Sequence, residues 1–295
     1  MNSEFELIDL FNQIGSKYYK ENGVIIPPGD DCAVFESKKK IVTSVDASVE
    51  GIHFLKNTKP QDIAYRSIAV AISDIAAMGC KPLAFSLSVT SPSQNRAWFE
   101  DFALGTNEIA NQFEIPLIGG DLTRGPLNIG VIVYGSPFKK NILRRDGAKP
   151  GDFICISTEV GKGAKGLKDL KNKISDSPFI KYYLRPIPKI ELGKKISELA
   201  NACIDTSDGL LVDMQKMLKA SNCGGKIYLD KIPVISNIED LNLGDDYDLC
   251  FTIPKDKFTD DFIKIGEVSK SKEIKLISNK GYDVKIAGYE HFNNE

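Results

Sequence analysis

The chain has 295 residues, enough for two domains with separate cores, and its 42% hydrophobic and 26% charged residues are ordinary for a globular protein. A net charge of −2 argues against nucleic acid as the main partner, and no apolar run nears the ~20 residues needed to span a bilayer. With only His53 and His291, a histidine-built zinc centre or a Ser-His-Asp hydrolase is poorly supplied. Cys32, Cys80, Cys155, Cys203, Cys223 and Cys250 are scattered, with no Cys-x-x-Cys pair. They read as reduced core residues of a cytoplasmic protein.

Residues 4–19 read as a first helix, with Phe5, Ile8, Phe11 and Ile14 near helical spacing. The acidic, amphipathic start MNSEFELIDLF is unlike a signal peptide. PPGDDCAVFE (27–36) is a turn followed by a short strand; adjacent Asp30 and Asp31 project to different sides, so at most one faces any given site. IVTSVD (41–46) alternates like a strand that ends at Asp46, and GIHF (51–54) follows.

PQDIAYRSIAVAISDIAAMG (60–79) reads as a helix, with proline in its first turn and glycine after its last apolar residue. Asp74 lies in a run of small and apolar residues, where an ionised carboxylate is costly without a cationic partner. Two readings stand: an Asp on one solvated stripe, or one ligand of a shared metal site. A strand over 83–89 follows, then a helix over 95–113 with Trp98, Phe102, Ile109 and Phe113 as its inner face.

In 115–135 a short apolar strand runs into a turn at Gly119-Gly120-Asp121. A glycine pair lets backbone N–H groups approach an anion. Asp121 at the mouth of that turn either caps a hairpin or faces a site. A domain boundary is expected near 138–146, dividing the chain into 1–138 and 139–295. The second half opens with a strand over 152–158. Gly161, Gly163 and Gly166 then fit a dinucleotide spacing, but Ser-Asp-Ser-Pro and KYYLRPIP follow, not a hydrophobic strand ending in an acid.

A helix is expected over 187–201. In ACIDTSDGLLVDMQKML (202–218), Asp205 ends an apolar run, and Thr206 or Ser207 supplies an N-cap. Leu210, Leu211, Met214, Met217 and Leu218 form the buried face of the helix that follows. Its N-terminal N–H groups suit phosphate, which Asp205 and Asp208 would repel unless a cation lay between them. LGDDYDLCFTI (243–253) again places glycine and paired aspartates before an apolar strand; 273–277 and 283–287 are strand-like.

Asp30, Asp46, Asp121, Asp205, Asp208 and Asp245 thus sit at turns, strand ends or helix starts, with Asp74 inside a helix. Short carboxylates at such junctions are the usual ligands of hard cations. An acidic site that also has glycine loops and a helix start can hold polyphosphate only if divalent cations bridge the two. That pattern points to metal-dependent phosphoryl transfer. There is no G-x-x-x-x-G-K-S/T and no H-R-D, so Arg145 and Arg124 are the basic candidates for a nucleotide.

GDDCAV (29–34), VDASVEGIHF (45–54), AYRSIAVAISDIAAMG (64–79), LIGGDLTRGP (117–126), RRDGAKPGD (144–152), IDTSDGL (204–210) and GDDYDL (244–249) together resemble the thiamine-monophosphate kinase family, in order and spacing. The resemblance implies a mixed α/β, two-domain fold of aminoimidazole ribonucleotide synthetase type. An N-terminal sheet domain (1–138) would bind ATP and metal and pair with a second copy in a homodimer; a C-terminal α/β domain would follow. It implies ATP-dependent phosphorylation of thiamine phosphate to thiamine diphosphate, with magnesium.

By the same resemblance, Asp30, Ser44, Val45, Asp46, Asp74, Asp121, Asp205 and Asp208 match metal positions, and Asp74, Asp121 and Asp208 carry the chemistry. Gly119, Gly120, Arg145 and Ser207 match ATP contacts; His53, Asp245 and Tyr289 match thiamine-phosphate contacts. Three positions depart from the pattern. Val45 stands where a threonine is expected and offers only its carbonyl. Asp245 replaces glutamate, and Tyr289 replaces Phe or Trp. Selenophosphate or aminoimidazole ribonucleotide synthesis, a catalytically silent homologue and a dinucleotide-dependent oxidoreductase are the alternative readings.

Overall fold

The computed structural model describes residues 4–29 and 32–291. Asp30 therefore lies outside the described residues. The chain divides into two compact units, 1–75 with 80–137 and 76–79 with 138–295.

In the first unit, α1 (Glu4–Ile8) is much shorter than the helix expected over 4–19. Residues 9–15 are turns, with Asn12 donating to Asp9 (3.0 Å) and Gly15 at φ 71°, and a 3-10 turn follows at Ser16–Tyr18. Asp and Asn side chains that bond locally compete with helix propagation. Strands β1 (Val24–Ile26) and β2 (Val34–Phe35) form a small antiparallel pair.

The main sheet contains β3 (Val42–Val49), β4 (Cys80–Ser91), β5 (Leu117–Arg124) and β6 (Asn128–Pro137) in the order β3-β6-β4-β5. Only β4 and β5 run parallel. Two sequence expectations change here. β3 continues through Asp46 to Val49, so Asp46 is mid-strand. β5 passes straight through Gly119-Gly120-Asp121, so there is no turn there. Gly120 is needed instead because a Cβ would come within 2.3 Å of the Leu87 carbonyl on β4.

Helix α2 (Pro60–Ala77) buries Ile63, Ala64, Ile68, Ala69, Ala71, Ile72 and Ile75. Helix α3 (Arg96–Phe113) is capped by Asn95, whose side chain accepts from the Ala97 N–H (3.1 Å). Phe99 and Phe102 are its fully buried aromatics, while Trp98 is only partly buried and stacks on Phe102. The helices pack at Gly105, where a Cβ would lie 2.1 Å from the Gln61 carbonyl. One sheet face, carrying Phe85, Leu87, Ile129, Val131 and Val133, is buried. The opposite face leaves Thr43, Ala47, Ser88 and Asp121 exposed, with Val45 68% exposed.

The second unit has a six-stranded sheet in the order β12-β9-β11-β7-β10-β8. In chain order its elements are β7 (Phe153–Ile156), α4 (Lys162–Lys171), α5 (Ile180–Leu184), α6 (Ile190–Ile196), β8 (Ala202–Asp205) and α7 (Leu210–Ala220). There follow β9 (Gly224–Tyr228), β10 (Leu249–Ile253), β11 (Ile263–Ser269) and β12 (Ile274–Ile277). Leu210, Leu211, Met214, Met217 and Leu218 of α7 pack with Ile154, Ile204, Ile227 and Ile265 of the sheet as the core.

The helix expected over 187–201 contracts to α6; at its N-terminal end, Pro188 disfavours helix at the residue before it. The 283–287 segment forms no strand. Val284 and Ile286 still pack on the core, and the Asn242 side chain bonds the Lys285 carbonyl (2.8 Å) and the Ala287 N–H (3.2 Å) in place of a ladder. Cys32 is exposed, contrary to the core placement expected of it, while the other five cysteines are buried thiols.

Candidate functional site

In the first unit the alternation of β3 puts Ser44 and Asp46 on the helix-covered face, opposite Val133 and Val131 of β6. The period of α2 brings Asp74 over that face. Ser44 Oγ donates to Asp74 Oδ2 at 2.5 Å. Asp46 Oδ2 is buried without a hydrogen-bond partner. Burial, reinforced by the charge of Asp74, pushes the Asp46 carboxyl up to about 6. Two crowded carboxylates, one with an orphaned oxygen, fit a hard divalent cation. Among the described residues no group of three or more His, Cys, Asp or Glu surrounds one point. One or two carboxylates is the set magnesium takes when waters and substrate phosphates complete its shell.

His53 is held beside this strand. Its Nδ1 accepts from the Val49 N–H (3.0 Å), and its carbonyl accepts from the buried Arg66 Nε (3.1 Å). Asp121 is not part of the cluster. It is exposed and pairs in register with Ser88, whereas Gly120 pairs with Leu87 on the Asp46 face. Val45, next to Asp46 in the strand and so on the opposite face by the same alternation, also points to the open side.

In the second unit Asp205 is buried at the end of β8, opposite Leu249 of β10. Neither Thr206 nor Ser207 caps α7; Gly209 occupies the N-cap at φ 131°. The capping group is Asp213, in the first turn. Its Oδ2 accepts from the N–H groups of Ser207 (3.0 Å), Asp208 (2.9 Å) and Gly209 (3.2 Å). The N–H groups expected to await phosphate are therefore engaged by the chain's own carboxylate. Burial raises the Asp213 carboxyl, partly opposed by Lys216. Lys216 Nζ bonds both Asp213 Oδ1 (2.8 Å) and Asp208 Oδ2 (2.5 Å).

The Asp208 loop also gathers Asp245 and Tyr289. Asp245, at φ 71°, donates its N–H to the Ser207 carbonyl (3.0 Å), and Tyr289 donates its N–H to the Asp208 carbonyl (3.0 Å). The Tyr289 ring is 45% exposed and lies edge-on to His291. Arg145 and Arg124 are exposed; the Arg145 carbonyl accepts from Ser221 Oγ (2.9 Å).

Asp213, Lys216 and Asp246 escaped the sequence reading. Asp246 accepts from the N–H groups of Gly161 (2.7 Å) and Gly163 (3.1 Å), and burial pushes its carboxyl to about 6. It fills the spot at the start of α4 where a dinucleotide pyrophosphate would sit. Gly163 and Gly166 are needed for packing, since Cβ atoms there would lie 2.0 Å from the Asp245 carbonyl and 2.3 Å from the Phe179 carbonyl. The legible signals were a first-turn acid in S-D-G-x-x-x-D and the second member of an Asp pair.

Residues 29–136 match the family model described as AIR synthase related protein, N-terminal domain. The chain is 39% identical to a thiamine-monophosphate kinase from Buchnera aphidicola subsp. Schizaphis graminum, over 98% of this chain and 99% of that one. The chain belongs to the thiamine-monophosphate kinase family. A crystal structure of thiamine-monophosphate kinase from Stenotrophomonas maltophilia K279a superposes with TM-score 0.81 at 30% identity, covering 93% and 96% of the two chains. A structure described as AaThiL complexed with AMPPCP and TMP gives TM-score 0.79 at 30% identity over 99% of both. The family's fold, mixed α/β in two domains of aminoimidazole ribonucleotide synthetase type, is the fold of this chain. No described helix is long and apolar enough to cross a membrane.

Proposed function

We propose that this protein transfers the γ-phosphoryl group of ATP to thiamine phosphate, giving ADP and thiamine diphosphate. The observation that carries the reading is the end-to-end match to a relative complexed with AMPPCP and TMP. The Ser44–Asp46–Asp74 cluster supports it from within the chain: its orphaned, charge-crowded carboxylate suits magnesium bound to polyphosphate.

In this reading 1–138 is the ATP- and metal-binding domain and 139–295 the C-terminal α/β domain. Asp46 and Asp74, with Ser44 and the carbonyl of Val45, hold one magnesium position. Asp30, Asp121, Asp205 and Asp208 serve further ions. Gly119, Gly120, Arg145 and Ser207 bind ATP, and His53, Asp245 and Tyr289 bind thiamine phosphate. The open sheet face, with exposed Val45, is the surface on which a second copy pairs into a homodimer. Buried, reduced thiols at five of the six cysteines suit a cytoplasmic protein.

The acceptor oxygen belongs to a phosphate and is already ionised near neutral pH, so no general base is required. Bound magnesium supplies charge neutralisation between the two polyanions. Asp74, fixed by Ser44, and Asp46 orient the donor phosphates. His53, fixed at Nδ1, contacts the acceptor, and transfer is direct and in line. Purified protein incubated with ATP, magnesium and thiamine phosphate is expected to form thiamine diphosphate and ADP in equal amounts. ADP release without thiamine diphosphate, or neither product, refutes the reading. Cys32 is exposed, so a selenophosphate screen in parallel discriminates the neighbouring activity.

A further inference from the structure

We propose that Lys216 is a tethered cation that holds Asp208 in the nucleotide-free protein and competes with a divalent ion for it. The inference rests on the reading of Asp208 as a metal ligand. Lys216 lies on α7, the helix whose first turn is organised by Asp213. The side chain of Asp213 is 1% exposed, and Oδ2 is committed to the three N–H groups of residues 207–209. Its Oδ1 takes the Lys216 ammonium at 2.8 Å. The same ammonium takes Asp208 Oδ2 at 2.5 Å, and there both partners reach solvent, at 41% and 35% exposure.

The two contacts are therefore unequal. The Asp213 contact is buried on the acid side and built into the helix start. The Asp208 contact is solvated on both sides and exchangeable. When Lys216 leaves Asp208 it still has Asp213, so release strands no buried charge. A divalent cation arriving at Asp208 repels an ammonium a few ångströms away, so the two occupants exclude one another. Without a cation, the Lys216 contact keeps the Asp208 carboxylate ordered and near the Ser207–Gly209 backbone. Asp213 is thus a positioning residue, and Lys216 sets the cation concentration at which Asp208 becomes available.

The test is manganese binding to the nucleotide-free full chain, read from the loss of the free-ion electron paramagnetic resonance signal. Lys216→Met is expected to tighten the manganese site that depends on Asp208 about two- to fivefold, the range for removing a solvated ion pair. Lys216→Arg should stay near wild type. In an Asp208→Asn background, Lys216→Met should change nothing, closing the double-mutant cycle on Asp208. Lys216→Gln, which keeps a donor for Asp213, gives the same tightening if Lys216→Met folds poorly. Unchanged or weaker manganese binding in the Met and Gln variants, measured below their melting temperatures, overturns the proposal. So does an equal gain in the Asp208→Asn background, or no manganese binding by wild type. Thiamine diphosphate formation, measured separately, tells failure of the activity from failure of this exchange.

Discussion

Asp46→Asn should stabilise the metal-free protein. The Asp46 carboxyl is raised from its ordinary 3.8 to about 6 by burial and by Asp74. At 1.36 kcal/mol per pH unit, that displacement costs the folded state ~3 kcal/mol once the group is ionised. The sign follows from proton counts. Between pH 4 and 6 the folded protein keeps a proton on Asp46 that the unfolded chain releases. Stability therefore falls as pH rises through that window, and the cost is constant above it. Asparagine cannot ionise, so the slope disappears. An amide at a spot with no hydrogen-bond partner recovers only part of the total, ~2 kcal/mol near pH 7.5. Thermal unfolding in EDTA from pH 4 to 8 reads this as a rise of ~4–8 °C for Asp46→Asn above pH 6. Magnesium should stabilise wild type more than the variant, since the ion binds the folded state. A wild-type curve with no fall between pH 4 and 6, or a variant no more stable than wild type at pH 7.5, refutes the account of Asp46.

Asp74→Asn should lower thiamine-phosphate kinase turnover by ~100-fold or more while melting near wild type, because it keeps its bond to Ser44 but loses its charge; near-normal steady-state turnover removes Asp74 from the mechanism. Asp213→Ala strands three backbone N–H groups and should cost ~3 kcal/mol in urea unfolding, a loss that an unchanged midpoint would contradict. Gly163→Ala drives a methyl group into the Asp245 carbonyl and should cost ~1–3 kcal/mol and raise KM for thiamine phosphate more than KM for ATP. The proposed direct transfer predicts no label on denatured protein after incubation with γ-labelled ATP alone; retained label means a phosphoenzyme.

The helices and core were legible wherever periodicity was long and strong. α2 begins at the proline and α3 at the asparagine that their sequences mark, and the five apolar positions of α7 are the ones buried. The unread parts share a cause: they depend on which groups meet across the fold. β5 runs through its glycine pair because Gly120 lets β4 approach, and a sequence shows the glycine without its neighbour. Asp46 looked like a strand end because aspartate is depleted in strands, yet ladder bonds to β6 carry the strand on to Val49. At the α7 start, an acid six residues downstream of Ser207 displaced the expected cap. Asp46 and Asp74 were legible only as two of seven aspartates suited to a hard cation; that these two meet on one face, with Asp121 on the other, needed the register.

In the proposed function the Asp46–Asp74 corner holds the divalent ion that links this chain to its nucleotide. Crystals of the protein grown with manganese and a non-hydrolysable ATP analogue should show an anomalous peak within bonding distance of an oxygen of both carboxylates and of a phosphate. Well-ordered nucleotide with no anomalous peak at that corner would contradict it.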